Sequence, residues 1–167
     1  MEVQLIRAAI GDKPVLRNLF QLYEYEFSDI EVGPLADVNE HGLYDGPRYF
    51  DHYWTGTDRH PYLIRVDGKL AGFALVRRFS YLTNDEEAHS VSEFFVMRRY
   101  RLEGIGTRVA TELFRLFPGR WEVAEMAANL GAQQFWRKVI GRFTGGEFSE
   151  VALNNDVWNG TVQAFQA

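Results

Sequence analysis

Ten consecutive residues carry the strongest chemical signal in the chain: Arg98-Arg99-Tyr100-Arg101-Leu102-Glu103-Gly104-Ile105-Gly106-Thr107. They lie between a strand-like run, Ser90–Val96, and the amphipathic pattern Ile105, Val109, Leu113, Leu116, Phe117. Two glycines one residue apart let the backbone turn tightly and bring its N–H groups close to a ligand. The unpaired N–H groups of the helix's first turn then face outward with the helix dipole behind them, which suits a pyrophosphate. Arg98, Arg99 and Arg101 add positive charge. A helix start with a tight turn and solvated arginines fits the same ten residues equally well. Two other phosphate-binding patterns fit worse. No Lys-Ser/Thr pair follows the glycines, as a P-loop requires, and Val109 stands where a dinucleotide fold needs its third glycine.

The composition narrows the partners. A chain of 167 residues with 46% apolar and 25% charged residues is long enough for a core of its own, and a single domain over residues 1–167 is expected. Net charge is −5; duplex binding needs a basic face, so a nucleic-acid partner is not expected. No apolar run approaches the roughly 20 residues that cross a bilayer. Met1-Glu2-Val3-Gln4 has neither the basic nor the apolar part of a secretory signal, and there are no cysteines. A cytoplasmic address without a membrane partner is the expectation. His41, His52, His60 and His89 show no ligand spacing, so no metal is expected. The acidic balance is compatible with a cationic acceptor such as an amine.

The remaining pattern supplies the elements that would position the loop. Val3–Arg7 reads as a strand. Asp12 is placed to cap a helix with Pro14 in its first turn, and Val15, Leu16, Leu19, Phe20, Tyr23 and Phe27 form its buried stripe. Irregular chain follows from Asp29 to Gly46, then a short aromatic helical turn within Arg48–Trp54. Tyr62–Val66 and Leu70–Phe79 form a hairpin through Asp67-Gly68. Trp121–Met126 reads as a strand, and Ala132, Phe135, Trp136, Val139 and Ile140 mark a further helix. Glu147–Leu153 and Val157–Phe165 close the chain as strands. The class is α/β, in the α+β sense: a mixed, mostly antiparallel sheet flanked by helices.

Phe94-Phe95-Val96 followed by Arg101-Leu102-Glu103-Gly104-Ile105-Gly106 resembles the acyl-CoA motif of the GNAT N-acyltransferase superfamily, Arg/Gln-x-x-Gly-x-Gly/Ala. Asn129-Leu130-Gly131-Ala132 with Trp136 is similar to that family's second cofactor motif, Asn-x-x-Ala followed by an aromatic residue. The resemblance implies acetyl-CoA as co-substrate and an N-acetyltransferase acting on a small-molecule or protein amine; a second copy of the chain in a homodimer is the one further partner it suggests. It implies strands near 90–96 and 121–126 that splay apart around the pantetheine arm. Main-chain groups of Phe94, Phe95 and Val96 would pair with that arm. The stretch Arg101, Leu102, Glu103, Gly104, Ile105, Gly106 and Thr107 would hold the pyrophosphate, and Asn129 would bond the pantetheine. The N–H of Val96 would polarise the thioester carbonyl.

Direct attack also needs a base for the ammonium proton. Glu93, on the strand beside the expected thioester, is the first candidate, with Glu122 and Glu125 on the facing strand as rivals. Many relatives have a tyrosine where this chain has Trp136, and indole does not donate a usable proton at neutral pH. Trp136 is therefore expected to pack, against the core or the cofactor, and Tyr100 is a distant second choice for an acid. The alternative function is a non-catalytic acyl-CoA binder or sensor. The segment Tyr23–Trp54, with Glu24, Glu26, Asp29, His41, Asp45, Asp51 and His52, is where the resemblance puts the acceptor pocket.

Overall fold

The alternating and helical patterns resolve, in a computed structural model that describes residues 1–30 and 37–167, into seven strands and three helices. They are β1 (Val3–Arg7), α1 (Lys13–Phe27), β2 (Arg59–Val66), β3 (Lys69–Arg78), β4 (His89–Val96), α2 (Ile105–Leu116), β5 (Arg120–Met126), α3 (Leu130–Thr144), β6 (Ser149–Asn154) and β7 (Asn159–Gln166). All seven strands join one sheet in the order β1-β2-β3-β4-β5-β7-β6. Every neighbouring pair is antiparallel except β4 and β5, which run parallel. The mixed, mostly antiparallel sheet read from the sequence is thus the fold observed. Part of the irregular chain expected over Asp29–Gly46, residues 31–36, lies outside the described residues. Among those described, no helix is long and apolar enough to cross a membrane.

Alternation along the strands gives the sheet two apolar faces. On one, Leu63, Phe73, Leu75 and Phe95 pack under Leu16, Leu19 and Phe20 of α1 and under Phe50 and Tyr53. On the other, Ile64, Val76, Val91, Trp121 and Phe165 pack beneath α2 and α3. Phe114 and Trp121, both fully buried, meet edge to face with ring centroids 5.0 Å apart. Burying a side chain of this size contributes about 1.5–3 kcal/mol. The stripe expected on α1 faces inward as read, with Leu16, Leu19 and Phe20 buried.

Two local features differ from the sequence reading or go beyond it. Asp12 does not cap α1 with its side chain. A single 3-10 turn, Ile10–Asp12, precedes the helix, and the Asp12 carboxylate reaches back to accept from the Ala9 N–H at 2.9 Å. At Gly72, opposite Val96, an added Cβ would lie 1.9 Å from the Phe95 carbonyl oxygen. The third and fourth strands can approach this closely only because residue 72 has no side chain.

Candidate active site

Parallel strands β4 and β5 pair over only three positions, His89↔Trp121, Ser90↔Glu122 and Val91↔Val123. Beyond Val91 they part, while β4 stays paired with β3 as far as Val96 and β5 stays paired with β7 to its end. The gap therefore lies between Ser92–Val96 on one side and Ala124–Met126 on the other. The Met97 N–H donates to Ala71 O at 2.8 Å. By strand alternation the N–H groups of Phe94 and Val96 are turned away from β3, toward the gap, and those of Phe95 toward β3. The stretch expected to face the gap through three residues does so through two. The Val96 carbonyl accepts from Arg101 Nε at 2.6 Å, which ties the end of the strand to the loop that follows.

That loop runs from a 3-10 turn, Arg98–Tyr100, to α2. Leu102, at φ 67°, is fully exposed; Gly104, at φ 77°, sits at the N-cap of α2 in the left-handed region, where a Cβ would be strained. No side chain caps this helix, so the N–H groups of Ile105, Gly106 and Thr107 remain for a ligand. Ile105 points inward at 1% exposure and anchors the turn. Glu103 is exposed. A Cβ at Gly106 would come within 3.2 Å of the Phe135 ring, so this glycine keeps α2 close to α3. Two of the three arginines are engaged by Glu26 of α1: Arg98 at 3.2 Å, and Arg101. Their charge is shared with a carboxylate, whereas Arg99 is exposed.

Because β4 and β5 are parallel, α2 and α3 both start at the ends where these strands diverge. Asn129 caps α3, its Oδ1 accepting from Ala132 N at 3.0 Å. Trp136 is 5% exposed and packs edge-on against Phe94 and Phe135, each with a centroid distance of 5.0 Å. The indole lies among core rings, the packing position expected for it.

Glu93 lies on the opposite face, beneath α1. A bulge shifts the β3–β4 register between Leu75 and Val76, so that Leu75 faces Glu93 and Val76 faces Val91. The extra residue, Ser92, puts two successive side chains on one face. There the Tyr23 hydroxyl donates to Glu93 Oε2 at 2.5 Å and the Tyr49 hydroxyl donates to Oε1. Burial, reinforced by the Glu93 carboxylate, pushes both phenols up. They therefore stay protonated and act as donors. A carboxylate has about four acceptor positions, and the two phenols take one each. No spacing in the sequence marks this pair: Tyr23 falls within the apolar stripe of α1, and its polar tip is the available signal.

The rival glutamates are occupied otherwise. Glu122 is fully buried and accepts from Ser80 Oγ at 2.8 Å, from the N–H groups of Tyr81 and Leu82 at 2.6 and 3.2 Å, and from Arg120 at 2.7 Å. It clamps the loop between β3 and β4. Glu125 faces α3, 3% exposed, and neither of its oxygens has a hydrogen-bond partner. Burial first, and Glu150 second, push its carboxyl up to about 9. It holds its proton at neutral pH and is not available as a base there.

A stability prediction follows from Glu125. Between the ordinary carboxylate range and about pH 9 the folded chain keeps a proton that the unfolded chain has lost. Stability contributed by this group should fall as pH rises, by at most about 1.4 kcal/mol per pH unit. Glu125→Gln should flatten that slope and raise Tm at pH 8. Denaturant titrations from pH 5 to 9 check it, and an unchanged slope in the variant would remove Glu125 as the cause.

Burial and the Arg7 guanidinium push His60 down to about 4, and burial lowers His89. Among the described residues no group of His, Asp and Glu is arranged to hold a metal ion.

Residues 17–141 match the Acetyltransferase (GNAT) family. No curated protein sequence matches the chain significantly. Among solved structures it is similar to an acetyltransferase from Thermus thermophilus, with 14% identity, a TM-score of 0.69, and 100% of this chain and 98% of that one covered. It is similar to the PaiA N-acetyltransferase of Thermoplasma acidophilum in complex with coenzyme A, with 11% identity, a TM-score of 0.68, and both chains covered in full. A spermidine N-acetyltransferase from Vibrio cholerae, in complex with CoA and spermine, shares 10% identity at a TM-score of 0.62, over 98% of this chain and 95% of that one. At these identities the likeness shows the fold.

Proposed function

The chain belongs to the GNAT acetyltransferase family, and from that premise we propose that it transfers the acetyl group of acetyl-CoA to an amine by direct attack. The observation that carries this reading is the gap past Val91 and Val123, with the Val96 N–H directed into it and Glu93 beside it. The residues present fit the co-substrate. Phe94 and Val96 offer main-chain partners to the pantetheine arm, and the uncapped first turn of α2, from Gly104 to Thr107, offers N–H groups to the pyrophosphate. Arg101 contributes by holding the loop to Val96 and Glu26. Asn129 stands at the start of α3, and Trp136 and Phe94 form an apolar wall.

In the proposed reaction Glu93 takes the ammonium proton, and the neutral nitrogen forms a bond to the thioester carbon. The Val96 N–H receives the oxyanion. The carbon–sulfur bond then breaks, the nitrogen gives up its second proton to water, and the leaving thiolate takes a proton from water. The co-substrate supplies the activated acyl group, and the chain supplies the base, the donor and the alignment. Incubation with acetyl-CoA and a panel of amines, with release of thiol as the readout, tests this. Release with at least one amine is expected; CoA binding without release from any amine would replace the enzyme by a binder or sensor.

Trp136 has a packing role in this scheme. Trp136→Phe should keep most of the activity, whereas loss of a true proton donor costs about 10²–10⁴-fold. Steady-state kinetics on a variant with unchanged Tm decide the point. A drop of that size would return the indole to the chemistry.

A further inference from the structure

The face that carries Glu93 also carries a row of side chains whose polar atoms the fold leaves unsatisfied. Arg59 and Arg77 stand directly opposite each other across β2 and β3, and Ser90 stands opposite Arg77 across β3 and β4. Cross-strand partners share a face, and like charges placed this way repel. Arg59 Nη1, Arg77 Nε and the Ser90 hydroxyl are buried without a hydrogen-bond partner, and the buried hydroxyls of Tyr53 and Ser92, which lie within reach of each other, are paired to no other group. Tyr53 is 1% exposed. Among the described residues, the other such side-chain atoms belong to Glu125 and Gln163, on the opposite face.

Unpaired buried donors of this kind cost free energy unless something completes them. Neither Asp58 nor Glu122 completes them. Asp58 lies 3.8 Å from Arg59 Nε, on another edge of the guanidinium, and Glu122 is filled by Ser80, by two main-chain N–H groups and by Arg120. The aromatic rings fix the guanidinium groups without using these edges. Arg59 lies over Tyr53 at 5.4 Å, and Arg77 lies over Phe79 at 4.4 Å while donating from Nη2 to the Tyr81 hydroxyl at 3.2 Å. What remains is a pair of oriented cations with free N–H edges and hydroxyls around them, a geometry suited to a carboxylate.

We propose that Arg59 and Arg77, with Tyr53 and Ser92, form an anion subsite of the acceptor pocket, and that the amine acetylated here carries a carboxylate in the same small molecule. The acceptor is then an amino acid or a similarly compact amino-carboxylate. This rests on the acetyltransferase reading and deepens it. Leu75 faces Glu93, and Arg77 follows two residues later on the same strand, roughly 7 Å along it. That separation matches an amine at the base and a carboxylate at the arginines. The arginines lie toward the paired end of β4 and β5, so the bound molecule would point its amine toward the gap.

The test uses the full chain and the proteinogenic amino acids, each compared with its carboxamide and its decarboxylated amine. Binding is measured by calorimetry in the presence of CoA, and kcat/KM is measured by thiol release from acetyl-CoA. At least one amino acid should be preferred over its decarboxylated counterpart by about 10²-fold or more. Arg59→Gln should narrow that ratio by about tenfold through KM; if this variant does not fold, the wild-type ratio still decides. Turnover of amines with no preference for the carboxylate overturns the subsite and leaves the acetyltransferase standing. Carboxylate-selective binding without thiol release supports the subsite and removes the acetyltransferase. Neither binding nor turnover removes both.

Discussion

Glu93→Gln should lower kcat by about 10²-fold or more while leaving CoA affinity nearly unchanged. The amide keeps the shape of the carboxylate and an acceptor for one of the two phenols, Tyr23 or Tyr49. It cannot take a proton from an ammonium group. The phenols are held protonated by burial, so neither can replace the lost base at neutral pH. CoA affinity should survive because the groups proposed to hold it, on the α2 turn and on the inward edge of β4, lie across the sheet or beyond the strand end. The pH profile separates enzyme from substrate. With acceptors of different basicity, a limb that moves with the amine belongs to the substrate, and one that stays fixed and disappears in the glutamine variant belongs to Glu93. Wild-type kcat in a folded Glu93→Gln protein would remove Glu93 as the base. Loss of kcat in Glu125→Gln instead would put the base on β5.

The parts of the molecule that were legible in the sequence are those whose determinants lie close together along the chain. The Asp67-Gly68 hairpin pairs as read, and the loop from Arg101 to Thr107 leads into its helix as read. In both cases a few adjacent residues decide the backbone. The surroundings of Glu93 were not legible, because its partners lie 70 and 44 positions away, on a helix and next to a 3-10 turn. Neither tyrosine announces by its spacing that it will meet a strand residue. Glu122 shows the same limit from the other side. In sequence it matches Glu93 as a glutamate on a strand, and only the loop that folds over it converts it into a buried clamp. Arg59 and Arg77 become neighbours only once the hairpin register is set, and their net effect is opposite to the acidic balance of the whole chain. The acidic composition is compatible with a cationic acceptor, whereas the charges that stand beside the proposed base are cationic themselves.

The largest loss of co-substrate binding is expected from Gly104, and its two substitutions separate two causes. A Cβ at Gly104 meets no protein atom within 4 Å, so nothing in the fold sterically resists it. The backbone does resist a β-branched residue, because φ is 77°, and holding valine there costs about 1–3 kcal/mol. Asparagine tolerates the left-handed region far better, yet it carries a side chain into the space before the first turn of α2. Gly104→Val should therefore lose both loop geometry and phosphate contacts, and Gly104→Asn mainly the contacts. Losing two charge-assisted contacts weakens binding by about 10²–10⁴-fold, so CoA affinity measured by calorimetry should fall by that factor in the asparagine variant with Tm little changed. Gly106 is the less informative position, since its Cβ would strike Phe135 at 3.2 Å and disturb the packing of α2 on α3. Dephospho-CoA retains the pyrophosphate and should lose affinity in parallel, whereas a pantetheine derivative without it should bind wild type and Gly104→Asn alike. If Gly104→Asn binds CoA as tightly as wild type, the pyrophosphate does not rest on this turn, and the anion site must be sought at the start of α3.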